Sequence, residues 1–177
     1  MRYLDTAFAH LGFAIKLMQA AEDGLLSLDT IGRPMTVVDG GSKLVLPDRV
    51  LSSQNDLVLA CQNQVTIAYG AAAIVLNRCR EEAGAALPNP INDERDQWIA
   101  LVYQIRNAFA HDIAEPKWNF SQPRFAREYS IGRIQADLSR RHREHFSYSH
   151  IGGPDVLFTL KRIGEVTAFG RAWGELE

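Results

Sequence analysis

The chain has 177 residues, of which 46% are hydrophobic and 23% are charged, and this apolar content suffices for one sizeable core. We therefore expect a single domain over residues 1–177, because length alone argues against two. The formal net charge of −2 excludes a strongly basic protein that coats nucleic acid indiscriminately.

The first residues do not form the hydrophobic stretch of a signal peptide, because Asp5 and His10 interrupt it. The longest apolar run, residues 65–76, is shorter than the roughly 20 residues that a membrane-spanning helix needs. Cys61 and Cys79 would lie roughly 27 Å apart on one helix, which is too far for a disulfide. We therefore expect a cytoplasmic protein without a membrane partner.

Apolar residues at helical spacing predict a first helix over residues 3–28, which Gly24 weakens only slightly. The pattern changes at residues 31–51, where the β-prone runs MTVV and KLVL flank the glycine turn DGGS. We interpret this segment as a β-hairpin inserted between helices.

A second helix is predicted from a cap at Ser53 or Asn55 to a stop at Gly84. Its middle, residues 68–73, consists of small residues. Another helix backbone can approach closely there. We therefore expect this stretch either at the centre of the helical bundle or at a contact between subunits.

A third helix is predicted for residues 93–111, DERDQWIALVYQIRNAFAH, with Asn92 as its N-cap. Its apolar stripe occupies a single arc of the helix: Trp98, Leu101, Val102, Ile105 and Phe109. Outside this arc Asn107 and His111 lie one helical turn apart, and the long side chain of Arg106 can reach them. The same side is otherwise small or polar: Ala100, Gln104 and Ala110.

Within a β-rich segment, about residues 118–151, alternation predicts three strands: residues 125–131, 133–139 and 144–151. The charged residues 140–143 are expected to form the turn between the last two. A last helix is predicted from Pro154 to Trp173. The fold is thus expected to be mainly α, an up-and-down bundle of about four principal helices with small β-hairpin excursions after the first and third helices.

The residues RNAFAH, from Arg106 to His111, form an Arg-x4-His pattern near the end of the third helix. This pattern resembles the signature of the HEPN superfamily. The following HDIAEPKW, with Pro116 and Trp118, is similar to a plasmid-encoded branch of that superfamily. The resemblance implies a HEPN-like bundle that acts as a metal-independent endoribonuclease in a toxin or defence setting. It also implies that Arg106, Asn107 and His111 are catalytic and that no cofactor is needed.

The residue types suit this chemistry, since His can move a proton near neutral pH and Arg can hold a phosphate. Two alternatives stay open. A His in a last helical turn can simply favour the helix dipole, and a catalytically inactive HEPN dimer can serve as a binding or scaffold module. The resemblance also implies an antitoxin or nucleotidyltransferase partner. However, the Tyr that such partners often modify is replaced here by Ile113.

We also expect a homodimer whose third helices face each other across a two-fold axis, so that each site draws on both chains. The apolar stripe accounts for packing within the bundle. The side with Ala100, Gln104, Asn107, Ala110 and His111 is left flat enough for a partner helix.

Basic residues cluster in the last third of the chain, and we expect five of them to bind RNA: Arg124, Arg127, Arg140, Arg141 and Arg143. Phe125, Tyr129 and Phe146 are interleaved with them and can stack a base. The alternative is an edge hairpin that charge protects from aggregation. Spacing predicts no metal site, so the other histidines are expected to be solvated surface or turn histidines: His10, His142, His145 and His150.

Overall fold

The computed structural model describes residues 2–46 and 50–169, apart from the side chains of Arg2 and Thr30. Within them the protein is mainly α-helical, with four long helices, one single-turn helix and two small antiparallel hairpins. The elements are α1 (Arg2–Glu22), α2 (Leu28–Ile31), β1 (Met35–Asp39), β2 (Ser42–Leu46), α3 (Gln54–Glu82), α4 (Glu94–Ala110), β3 (Glu128–Ile131), β4 (Ile134–Asp137) and α5 (Val156–Thr167). The predicted class, and the hairpins after the first and third long helices, are confirmed.

The chain divides into two compact units. The first contains the residues up to Ala9 and those from Tyr69 onward, and the second runs from His10 to Ala68. Both divisions fall inside long helices, one in α1 and one in α3. A single domain over residues 1–177 stays a prediction.

Helix α4 is buried on almost every side within the first unit. The whole predicted stripe is buried, and Trp98 donates a hydrogen bond from Nε1 to the carbonyl of Leu160 in α5 at 2.9 Å. The β3–β4 hairpin alternates buried and exposed residues, as its sequence predicts, and packs on α4. Gln97 joins the two elements, since its Oε1 accepts a hydrogen bond from the backbone of Ser130 at 2.7 Å.

The small-residue stretch of α3 faces α4 inside the first unit. A Cβ atom added to Gly70 would lie 2.6 Å from Cδ1 of Phe109 and 2.9 Å from Cγ1 of Ile113. Only glycine allows so close an approach of two helices at this position. Of the two predicted locations for this stretch, the centre of the bundle is therefore the one observed.

Helix α3 is, in the described part of the chain, the one helix that is long and apolar enough to cross a membrane. This criterion counts length and composition only. The core helix of a globular protein meets it as well, and Ala72, Leu76 and Cys79 of α3 are buried within the first unit. The helix is thus weak evidence for a membrane span.

The second unit has a small core of Ala21, Leu57 and Cys61, against which leucines and a methionine pack. Its hairpin pairs Met35 with Leu46 and Asp39 with Ser42. All ten strand residues are exposed. The hairpin predicted within residues 31–51 is confirmed, while residues 47–49 lie outside the described residues.

Glycine decides where the first helix ends, and the predicted end at residue 28 is wrong. Gly24 has a φ of +70°, and the amides of Gly24 and Leu25 donate to the carbonyls of Ala21 and Ala20 at 3.2 and 2.9 Å. This pair of hydrogen bonds closes a helix with a left-handed glycine. The same motif ends α3 at Gly84, as predicted.

Three further features differ from the predictions: two helix starts and one strand. Asp93, not Asn92, caps α4, because its carboxylate accepts from the amide of Asp96 at 2.8 Å. Helix α5 begins at Val156 rather than at Pro154, and its predicted end at residue 173 lies outside the described residues. The predicted strand at residues 144–151 is wrong. It is replaced by a single bridge at His145 and a 3-10 turn, Tyr148–Ile151.

The close approach at Gly70 makes its replacement costly. Gly70→Ala should lower the free energy of unfolding by about 1–3 kcal/mol, since the added methyl overpacks the contact between α3 and α4. Gly12, inside α1, has no atom within 4 Å of an added Cβ. Gly12→Ala should therefore raise stability by about 0.5–1 kcal/mol through helix propensity. Chemical denaturation of both variants checks this, and a neutral Gly70→Ala would contradict the packing.

Candidate functional site

The three residues of the Arg-x4-His pattern lie at the C-terminal end of the buried helix α4. Arg106 and Asn107 are half-buried, and Nη1 of Arg106 donates to Oδ1 of Asn107 at 3.0 Å. His111 is the C-cap residue and is exposed. The structure therefore joins Arg106 to Asn107, whereas within the described residues no hydrogen bond links His111 to either.

His111 opens onto a cavity of about 610 Å³, which we call the His111 pocket. Its polar lining consists of His111, Asp112, Glu115, Lys117, Asn119 and Arg143, with Ala108 and Trp118 completing the wall. Arg143 was predicted to bind RNA, but Lys117 was not identified as a site residue. Arg106 and Asn107 do not line the pocket.

Arg106 forms its hydrogen bond with Asn107 and lies outside the lining of the His111 pocket. Burial lowers the pKa of Arg80 on α3, and the charge of Arg106 adds to that lowering. The predicted convergence of Arg106 with His111 is thus absent from the pocket.

Lys117, Trp118 and Arg143 of the pocket lining lie on two segments that run antiparallel to each other. Trp118 donates its backbone amide to the carbonyl of Glu144 at 2.9 Å, and its carbonyl accepts from the amide of Arg143 at 2.8 Å. The amide of Lys117 donates to the carbonyl of Ala108 in α4 at 3.0 Å. These bonds hold Lys117 and Arg143 beside the end of the helix that carries His111.

The loop that follows His111 is fixed by a carboxylate. Oδ1 of Asp112 accepts hydrogen bonds from the amides of Ala114 and Glu115, both at 2.9 Å. These two bonds hold the pKa of Asp112 below its usual range. The pocket thus carries mixed charge, with Asp112 and Glu115 opposite in sign to Lys117 and Arg143.

Trp118, in the segment that follows this loop, is fully buried. Its Nε1 donates to Nδ1 of His150 at 3.0 Å, and the amide of Ser147 donates to the same nitrogen at 3.3 Å. Burial lowers the pKa of His150, and the nearby charge of Arg141 lowers it further. The prediction of a solvated His150 is therefore wrong, because this ring is a structural hydrogen-bond acceptor.

The five arginines predicted to bind RNA have different environments. Arg127 donates to the carbonyls of Ile91 and Glu128, at 3.1 and 3.2 Å, and Arg141 pairs with Glu144 at 3.0 Å. The guanidinium carbon of Arg124 lies 4.6 Å from the centre of the Phe125 ring. Arg140 and Arg143 are exposed, and of the five only Arg143 lines the His111 pocket.

Two of the three aromatic residues predicted to stack a base are buried. Phe125 and Tyr129 are each only 1% exposed, so base stacking by these two is wrong. Phe146 is half-buried in a cluster of rings that includes Phe109 and Trp118, with centroids 4.9 and 5.2 Å away. Base stacking by Phe146 stays a prediction.

The flat side of α4 that was predicted to meet a partner helix is mostly covered by the chain itself. Ala100 and Gln104 are fully buried, and β3 and the 3-10 turn at Pro123–Phe125 pack against α4. Ala110 and His111 remain exposed, and Asn107 is half-buried. Ala100 and Gln104 therefore cannot take part in the predicted contact between third helices, and the homodimer itself stays a prediction.

Within residues 2–46 and 50–169, no group of three or more His, Cys, Asp or Glu side chains is placed to hold a metal ion. Comparison with protein-family models, with curated proteins and with solved structures gave no significant match. The site must therefore be interpreted from its own geometry and chemistry.

The lowered pKa of His150 predicts a pH dependence of stability. The native state binds fewer protons than the unfolded state, so His150 contributes stability above its ordinary pKa of 6.5, and this contribution is lost as the pH falls through the lower native value. His150→Gln keeps an acceptor for Trp118 but cannot be protonated. Denaturation at pH 7.5 and 5.5 should show a smaller loss of stability for the variant than for the wild type. Equal losses would contradict the structural role of His150.

Proposed function

We propose that this chain is a HEPN-type, metal-independent endoribonuclease with an up-and-down helical bundle. The observation that carries the proposal is the exposed imidazole of His111, which opens onto a pocket that also presents Lys117 and Arg143. The Arg-x4-His pattern at the end of the most buried helix supports the same conclusion.

The pocket offers the groups that cleavage of RNA requires. His111 can accept the proton of a ribose 2′-hydroxyl or donate one to the leaving 5′-oxygen. The cations of Lys117 and Arg143 can bind the phosphate and stabilise the charge that develops on it. No step of this mechanism needs a metal ion.

Arg106 and Asn107 have a less direct place in this mechanism. Arg106 would have to leave its hydrogen bond with Asn107 to reach a phosphate bound near His111. The half-burial of Arg106 limits that movement. We therefore propose that, within a single chain, the Arg106–Asn107 pair positions the last turn of α4. Arg106 contacts substrate directly only in a dimer, at the site of the partner chain.

The alternative is a catalytically inactive HEPN dimer that serves as a binding or scaffold module. Two observations favour it. The hydrogen bond between Arg106 and Asn107 already satisfies part of the polar pattern, as expected where the pattern has only a structural role. The two carboxylates of Asp112 and Glu115 in the pocket also oppose the binding of an anion.

The biological setting follows from the resemblance alone. A cytoplasmic toxin or defence effector with an antitoxin or nucleotidyltransferase partner is the setting that we propose. Ile113 occupies the position where such partners often modify a Tyr, and its side chain faces Gly70 of α3. Control by that modification is therefore not part of the proposal.

The first test is cleavage of RNA. We expect the purified protein to cleave single-stranded RNA in the presence of EDTA, and His111→Ala to abolish the activity because the proton-transfer group is lost. His145 is also exposed but does not line the pocket, so His145→Ala is the matched control and should retain activity. Electrophoresis of labelled RNA measures both. Activity that survives in His111→Ala, or that EDTA removes, would refute the mechanism.

The second test concerns assembly. We propose a two-fold homodimer whose contact lies near Ala110 and His111, the part of the predicted face that is still exposed. If each site then uses Arg106 of one chain and His111 of the other, mixing Arg106→Ala with His111→Ala chains should restore about a quarter of wild-type activity. Light scattering establishes the dimer. A monomer at micromolar concentration, or no recovery on mixing, would exclude a composite site.

A further inference from the structure

Arg143 has an unusual backbone conformation for a residue with a large side chain. Its φ is +68°, and among the described residues it is the one non-glycine residue with a positive φ. The left-handed region costs an ordinary L-residue free energy, so residues held there tend to cluster at functional sites. The strain is maintained by the pairing with Trp118, whose carbonyl accepts from the amide of Arg143 at 2.8 Å.

This strained residue presents a cation that the protein itself does not use. The Arg143 side chain is exposed, and within the described residues it forms no hydrogen bond and no ion pair. The neighbouring Arg141, in contrast, is paired with Glu144 at 3.0 Å. Packing and internal charge pairing therefore give no reason for an arginine at position 143.

Lys117 lies on the paired segment and presents a second cation, whose charge also helps to lower the pKa of Asp112 in the same pocket. Its backbone is fixed by the bond to Ala108 and by the bridge to His145. Its side chain is exposed and lines the same pocket as Arg143 and His111. Two cations whose side chains form no hydrogen bond and no ion pair within the described residues thus lie beside one proton-transfer group, on two segments that are paired through the backbone.

We propose that Arg143 and Lys117 form the phosphate-binding site for the linkage that is cleaved at His111. Arg143 supplies a forked, two-point contact and Lys117 a point charge. This inference rests on the proposed ribonuclease function and names the residues that bind its substrate. Because Trp118 in the pocket wall is buried and offers no ring face to a base, we expect recognition through the RNA backbone, with tolerance of base sequence.

Binding is measured separately from cleavage with a single-stranded RNA oligomer that is 2′-O-methylated throughout and therefore lacks the attacking hydroxyl. Fluorescence anisotropy should show Kd rising about tenfold for Arg143→Ala and for Lys117→Ala, with the salt slope falling by about one for each. Arg140 is exposed in the preceding turn but lies outside the pocket, so Arg140→Ala is the matched control and should leave Kd within about twofold.

A second variant separates binding from a structural role. Arg143→Gly removes the guanidinium and also relieves the left-handed strain, so it should lose binding while its Tm rises by about 2–4 °C. Arg140 does not have a positive φ, so Arg140→Gly should retain binding and gain no stability. A fall in Tm together with lost binding would make Arg143 a structural residue and would overturn the proposal.

The outcomes distinguish this inference from the function on which it rests. If the oligomer binds through Arg143 and Lys117 but natural RNA is not cleaved, the ribonuclease function fails and the phosphate site stands. If RNA is cleaved while both alanine variants bind and cleave like the wild type, the phosphate site fails alone. A wild-type protein that binds no oligomer at low salt overturns the phosphate site as well.

Discussion

The return of the chain to α4 through Trp118 is the constraint on which the candidate site depends. A fully buried indole needs an acceptor for its N–H, and His150 supplies it at 3.0 Å. The backbone of residues 116–118 is also hydrogen-bonded to that of residues 143–146, so these two segments form one rigid pair. Without this pair of segments His111 would lie at the end of a helix with open solvent beyond it.

The burial of α4 explains why its sequence could be interpreted only in part. Periodicity identified the stripe of Trp98, Ile105 and Phe109, since large apolar residues mark the side of a helix that must be buried. It did not identify the burial of Ala100 and Gln104. Small and uncharged side chains suit solvent, a partner chain or the inside of a fold, and only the path of the β-rich segment decides among these.

Local chemistry explains the other successes and failures. Glycine ends α3 at Gly84 as predicted. The same mechanism ends α1 at Gly24, although the apolar pattern of the sequence predicts a longer helix. The pocket itself was beyond prediction. Lys117 and Arg143 are far apart in the sequence, and one pair of backbone hydrogen bonds brings their segments together. No residue pattern predicts an arginine with a positive φ.

In the sequence all arginines are equal charges, whereas in the structure they differ in the groups that their side chains contact. Arg127 donates to two carbonyl groups and Arg141 pairs with a carboxylate, so both side chains contribute to the fold. Arg143 combines a strained backbone with an exposed guanidinium that forms no hydrogen bond and no ion pair within the described residues. The strained backbone costs stability, and the solvated guanidinium recovers none of it for the folded chain. Such a residue is explained by a ligand of opposite charge, and its place beside His111 makes a phosphate the ligand that the chemistry favours.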